Sequence, residues 1–151
     1  MILLTLLNST PVVAGSPTDR FDDDAWLRAQ GFAVESQQLL REARDLLQDV
    51  VRGERSPAAL TALLDGVVSR PVVGDGGLTW EIDADGARRV IIDAVLEWDG
   101  VRGRLRPCAN DECRLFLLDR SKSNSARWCS MATCGNKLKA RRHHERARGE
   151  K

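Results

Sequence analysis

The sequence predicts a mainly α-helical domain followed by a small α+β zinc module. Three observations carry that expectation. Apolar residues recur with a helical period across much of residues 1–100. All four cysteines lie beyond residue 100. Charge is divided the same way: residues 1–100 hold 9 Lys/Arg against 17 Asp/Glu, a net of −8, and residues 101–151 hold 14 against 5, a net of +9. The expected domains are therefore an acidic helical unit, 1–100, with a regulatory or ligand-sensing role, and a basic module, 101–151. With no tyrosine, three Phe and four Trp, the core has to be mainly aliphatic.

The apolar opening from Ile2 to Leu7 lacks a basic leader, is broken by Thr5 and ends at Asn8, so it reads as the start of the fold rather than an export signal. No apolar run reaches the roughly 20 residues of a membrane span. The expected location is the cytoplasm, where clustered thiols bind metal more often than they pair as disulfides. Residues 8–22, with Pro11, Gly15 and Pro17, read as a loop. Asp22, Asp23 and Asp24 are N-cap candidates for a short helix through Trp26 and Leu27 that stops at Gly31.

The strongest helix is expected from about Val34 to Arg52. Leu39, Leu40, Ala43, Leu46, Leu47 and Val50 form its apolar stripe, and Glu35, Gln38, Glu42, Asp45 and Asp49 form the opposite face. Gly53 ends it. Ser56-Pro57 opens a further helix through Leu60, Leu63, Leu64 and Val67. Residues 71–73 and 78–82 are strands around a glycine-rich turn at 74–77. Ala87, Val90, Ile91, Ala94, Val95 and Trp98 mark a last helix capped by Asp85, and residues 99–103 are the junction.

Beyond the junction the spacing is Cys108-x4-Cys113-x15-Cys129-x4-Cys134. Two close pairs separated by about fifteen residues are the pattern of a four-thiolate zinc site. Each pair folds over one face of the ion, and the segment between them returns the chain. Four sulfurs complete a tetrahedron, so one ion is structural and leaves no position open for chemistry. Disulfides would need an export signal, and a nucleophilic cysteine would need one thiol set apart beside a base. His143 and His144 could serve as alternate ligands, although four thiolates already suffice. No base–nucleophile pair or phosphate-cradling loop is present, so no enzymatic activity is expected.

Between the pairs the expectation is a hairpin, with strands 114–118 and 126–129 around a turn at 119–124. Phe116 and Trp128 would form the finger core, because a module of about forty residues needs a metal to hold it. Ser130 caps a helix that carries Cys134 in its first turns, a treble-clef-like arrangement. That helix continues through Lys137, Lys139, Arg141, Arg142 and Arg146 with little apolar surface.

Several of these residues bear a family resemblance. Cys108-x4-Cys113, Leu115, Phe116, Asp119, Ser121, the run 127–131 from Arg127 to Met131, and 134–137 from Cys134 to Lys137 resemble the CGNR zinc finger of bacteria, densely from about Arg104 to Arg142. Lys137 stands where the name-giving arginine would be; it keeps the charge without the bidentate fork. Residues 1–100 resemble more loosely the helical ABATE-type domain that precedes such fingers, most recognisably at 6–10. The resemblance implies a stress-induced transcription regulator.

The functional expectation is a zinc-dependent, DNA-binding regulator. Lys137, Lys139, Arg141 and Arg142 on the helix, with Arg120 and Lys122 on the turn, are the expected phosphate contacts. RNA binding and a protein–protein adaptor role are the alternatives. A homodimer would be needed to read a palindrome, and the N-terminal domain could bind an unknown small ligand or protein.

Overall fold

Leu3, Leu6 and Leu7 recur on one side of helix α1 (Ile2–Leu7) and are fully buried. The structure is a computed structural model that describes residues 1–149, with Arg142 described by its backbone alone. The carboxylate of Glu97 accepts hydrogen bonds from the Ile2 and Leu3 N–H groups at 3.3 and 2.9 Å, which satisfies two of the otherwise orphaned donors of α1.

The expected loop 8–22 contains regular structure. Val12–Val13 (β1) pairs antiparallel with Ser16–Pro17 (β2), and a 3₁₀ turn covers Arg20–Asp22. Helix α2 (Asp24–Ala29) begins where the aspartates predict: the Asp23 carboxylate accepts from Ala25 and Trp26 N–H. Helix α3 (Gln37–Arg52) follows a 3₁₀ turn at Val34–Ser36 and ends at Gly53, whose φ of 79° is the left-handed conformation of a helix stop. Ser56 caps a 3₁₀ segment, Pro57–Leu64, where a helix is expected.

The strands at 71–73 and 78–82 form a six-by-six antiparallel ribbon, β3 (Ser69–Gly74) and β4 (Gly77–Ile82). Helix α4 (Gly86–Val101) runs into the expected junction. Its Asp85 carboxylate makes no capping bond.

Helices α1, α3 and α4 pack on one another around the core, and Phe21, Leu27 and Phe32 are buried in the same cluster. The buried face of α3 is rotated from the expected stripe. Leu39 is 49% exposed, and the buried positions are Leu40, Ala43, Arg44, Leu47, Gln48 and Val50. Arg44 donates to Ser9 Oγ at 3.1 Å and Asp19 at 2.8 Å, and its guanidinium lies 4.9 Å from the Phe21 ring. Gln48 donates to the Leu7 carbonyl at 2.8 Å and to Thr10 at 3.0 Å. Among the described residues no buried side-chain polar atom lacks a partner, and no helix is long and apolar enough to cross a membrane.

The C-terminal segment is built on this body. Strand β5 (Leu105–Pro107) pairs with β6 (Phe116–Leu118), and Leu105 and Phe116 belong to the main core cluster. The expected hairpin is corrected here. The partner of 116–118 is 105–107, and 126–129 forms no strand. The Cys108–Cys113 knuckle therefore sits at the tip of the β5–β6 hairpin.

Candidate metal centre

The knuckle is closed by backbone hydrogen bonds at its base and within its turn. Cys108 N–H donates to the Leu115 carbonyl at 2.9 Å, and Cys113 N–H donates to the Asn110 carbonyl at 2.8 Å. Asn110, 4% exposed, accepts from Glu112 N–H and donates to Cys134 Sγ at 3.4 Å. Ala109 N–H donates to the Arg127 carbonyl at 2.8 Å, bringing the second cysteine pair across to the first. Ser130 then accepts from Thr133 N–H, as expected of a cap. A π-type turn, Met131–Gly135, carries Cys134 into helix α5 (Asn136–Gly149).

These contacts gather the four sulfurs. All lie within 4.8 Å of one another; Cys113 to Cys129 is 3.7 Å and Cys129 to Cys134 is 3.6 Å. A tetrahedral zinc ion with sulfur bonds of about 2.3 Å requires sulfurs about 3.8 Å apart, so the residues present fit zinc in both chemistry and spacing. Leu115 N–H points at Cys113 Sγ at 3.5 Å and Cys129 N–H at Cys108 Sγ at 3.4 Å, which favours thiolates. The four cysteines are free of disulfides.

The thiols do not share one environment. Burial pushes Cys113 up to about 11 against the help of the Leu115 N–H. Burial and the neighbouring sulfurs push Cys129 up further. Burial also acts upward on Cys134, but the bonds from Asn110 and the other three cysteines outweigh it and bring this thiol down. Four clustered thiolates repel one another, and a divalent cation is what lets all of them ionise together.

The finger core differs from expectation. Phe116 is 2% exposed and packs in the helical body, with the Arg52 guanidinium 4.8 Å from its ring. Trp128 is half-buried, lies against the Met131–Gly135 turn and carries Arg127 at 5.1 Å. Leu138 is the buried residue of α5. The two aromatics thus serve different surfaces, because β6 faces the body while residue 128 faces the metal-bearing turn.

The expected cationic residues divide into two groups. Lys137 pairs with Glu112, and Arg141 lies 3.4 Å from Asp111 and 3.6 Å from Glu145. The knuckle acids that clasp these two cations went unnoticed at the level of sequence, although adjacent Asp111-Glu112 inside a cysteine pair was a visible signal. Lys139, Arg120 and Lys122 are exposed and make no ion pair among the described residues. The Arg142 side chain lies outside the described residues. His143 and His144 are exposed on α5 and take no part in the four-sulfur cluster.

The turn bearing Arg120 and Lys122 is organised from within. Asp119, 1% exposed, accepts from Ser121 N–H at 2.8 Å and Ala126 N–H at 2.7 Å. Its bonds to Ser121, more than its approach to Arg106, hold its carboxyl below the usual range. Arg104 donates to the Ser121 carbonyl and Arg106 to Asn124, fastening the turn to β5. A cavity of about 870 Å³ opens over the sulfur cluster toward the β1–β2 hairpin, and its wall includes Cys113, Cys129 and Cys134 together with Val12, Pro17 and Lys137.

Fold and site together define a helical protein carrying a four-cysteine zinc-finger module. Residues 104–147 match the family model of the CGNR zinc finger. No curated protein matches the chain.

Proposed function

We propose that this protein is a zinc-dependent, DNA-binding transcriptional regulator that acts without catalysis. One structural zinc ion sets the basic helix α5, and the module is treble-clef-like: knuckle, return segment, ligand-bearing helix. The observation that carries the reading is the direct continuation of α5 from the turn that holds Cys134. Fixing that ligand fixes the direction of a helix whose surface is mainly basic. Zinc supplies crosslinking of four thiolates and no reaction.

The clasp refines which cations act. Lys137 and Arg141 hold the knuckle acids, so their role is to set the angle of α5 against the metal site. Lys139 and Arg146, together with His143, recur at i, i+4 and i+7 on another face of the helix. That face, with Arg120 and Lys122 on the fastened turn, is the surface we assign to phosphate. The same reading places the protein in a reducing compartment such as the cytoplasm.

Anisotropy titration of duplex DNA with the intact protein tests this. Affinity should fall steeply between low and high salt, and Lys139→Ala should lower the log–log salt slope by about 1. Salt-independent binding, or a preference for structured RNA in competition, would overturn the assignment.

A further inference from the structure

The β3–β4 ribbon is amphipathic. Its register places Pro71 opposite Trp80 and Val73 opposite Leu78. Alternation then sets Ser69, Pro71, Val73, Leu78, Trp80 and Ile82 on one face, and Arg70, Val72, Thr79 and Glu81 on the other. The second face is solvated, with Arg70 and Glu81 3.6 Å apart across it. By this pattern the first face is the one to bury. It is instead open: Val73 is 79% exposed, Trp80 65% and Leu78 61%. The two strands contact each other far more than they contact any other described element.

A lone two-stranded ribbon is marginal in water, so its apolar face needs a cover. We propose that the cover is the same face of a second copy of this chain, the two ribbons packing face to face across a two-fold axis. A two-fold contact joins one patch to itself, and this patch is suited to that. It carries no charged side chain, so the pairing buries no unpaired charge. The same lack of cations, with Asp75, Asp83 and Asp85 nearby in sequence, argues against nucleic acid or an anionic membrane as occupant. Pro71 removes a backbone donor from β3, which favours packing by the face over pairing at that edge.

Area sets the strength. The exposed side chains uncover on the order of 400 Å² per copy, within the range of the largest apolar patch on an ordinary monomer, which is often functional. Two copies would bury roughly 800 Å², short of the 1,200–2,000 Å² of a standard stable interface. The dimer is therefore weak and concentration-dependent. It does not depend on nucleic-acid binding.

Sedimentation velocity on the intact, zinc-loaded chain, over two decades of concentration in the micromolar range, tests the pairing. The weight-average mass should rise from that of one chain to that of two. Trp80→Glu and, separately, Val73→Glu should hold it at one chain throughout, and Thr79→Glu on the solvated face should behave as the unaltered protein. Circular dichroism and zinc content on each variant separate lost pairing from lost folding, and the second substitution keeps the test decisive should the first misfold. An unaltered protein that stays monomeric at every concentration, or a Trp80→Glu variant that dimerises equally well, would overturn the proposal.

Discussion

The side-chain amide of Asn8 pairs with the backbone of Phe116 in both directions across 108 residues of sequence. Phe116 N–H donates to Asn8 Oδ1 at 2.7 Å, and Asn8 Nδ2 donates to the Phe116 carbonyl at 3.2 Å. The amide acts as a short extra strand on β6, fastening the end of α1 to the hairpin that carries the knuckle. Arg52 over the Phe116 ring and Leu105 in the core strengthen the same joint.

Removing that amide leaves a part-buried donor and acceptor without partners. Asn8→Ala should lower the stability of the intact protein by about 2 kcal/mol, read from the urea midpoint. Asn8→Asp keeps an acceptor for the Phe116 N–H but no donor, and should fall between. Equal stability of Asn8→Ala and the unaltered protein would show that the finger is not anchored here.

Arg44 is the buried cation of the body, its side chain 3% exposed against 18% for Asp19. Breaking a pair of this kind strands the partner, so Arg44→Met should cost about 3 kcal/mol. The pair also sets an acid limb. Burial alone would raise the Asp19 carboxyl, but bonds from Arg44 and the Phe21 N–H, with the charges of Arg44 and Arg41, hold it below its ordinary value. A carboxyl lower in the folded than in the unfolded state contributes fully above the unfolded value of about 3.9 and loses that contribution as pH falls through the folded value. Stability should therefore decline below about pH 4, and Asp19→Asn should flatten the decline in denaturation curves taken at successive pH values.

Gly135 is a glycine for space. A Cβ there would lie 2.9 Å from Met131 Sδ and 3.2 Å from Trp128 Cδ1. Met131 is 53% exposed and can swing outward, whereas Trp128 has to shift as a ring. Gly135→Ala should cost about 1 kcal/mol, and Met131→Ala in the same chain should recover part of it. A larger loss in the double variant would show that Met131 packing, rather than crowding, governs the turn.

How far the sequence foretold the molecule depends on whether a rule was local. The metal centre was legible because cysteine spacing and sulfur chemistry act within a few residues, as did the caps at Asp23, Ser56 and Ser130. The position of α3 was legible, but its orientation was not. A hydrophobic pattern assigns Arg44 and Gln48 to solvent; they are buried because Ser9, Thr10 and Asp19, far off in sequence, supply their partners. The pairing of 116–118 was misread for a similar reason. A strand-forming run does not name its partner, and the three-residue β5, which contains a proline, gives little strand signal. Phe116 followed the error: once β6 pairs with β5, its side chain enters the helical body. The excess of positive charge was visible, while the division between clasped Lys137 and open Lys139 needed the fold of the knuckle.

The central claim is that Cys108, Cys113, Cys129 and Cys134 together hold one zinc ion that organises the finger. Elemental analysis of the purified intact protein, alongside Cys113→Ser and Cys129→Ser variants, tests it most directly. About one zinc per chain is expected in the unaltered protein, with loss of metal in both variants. A chain that folds with no zinc, or variants that keep their full complement, would contradict it.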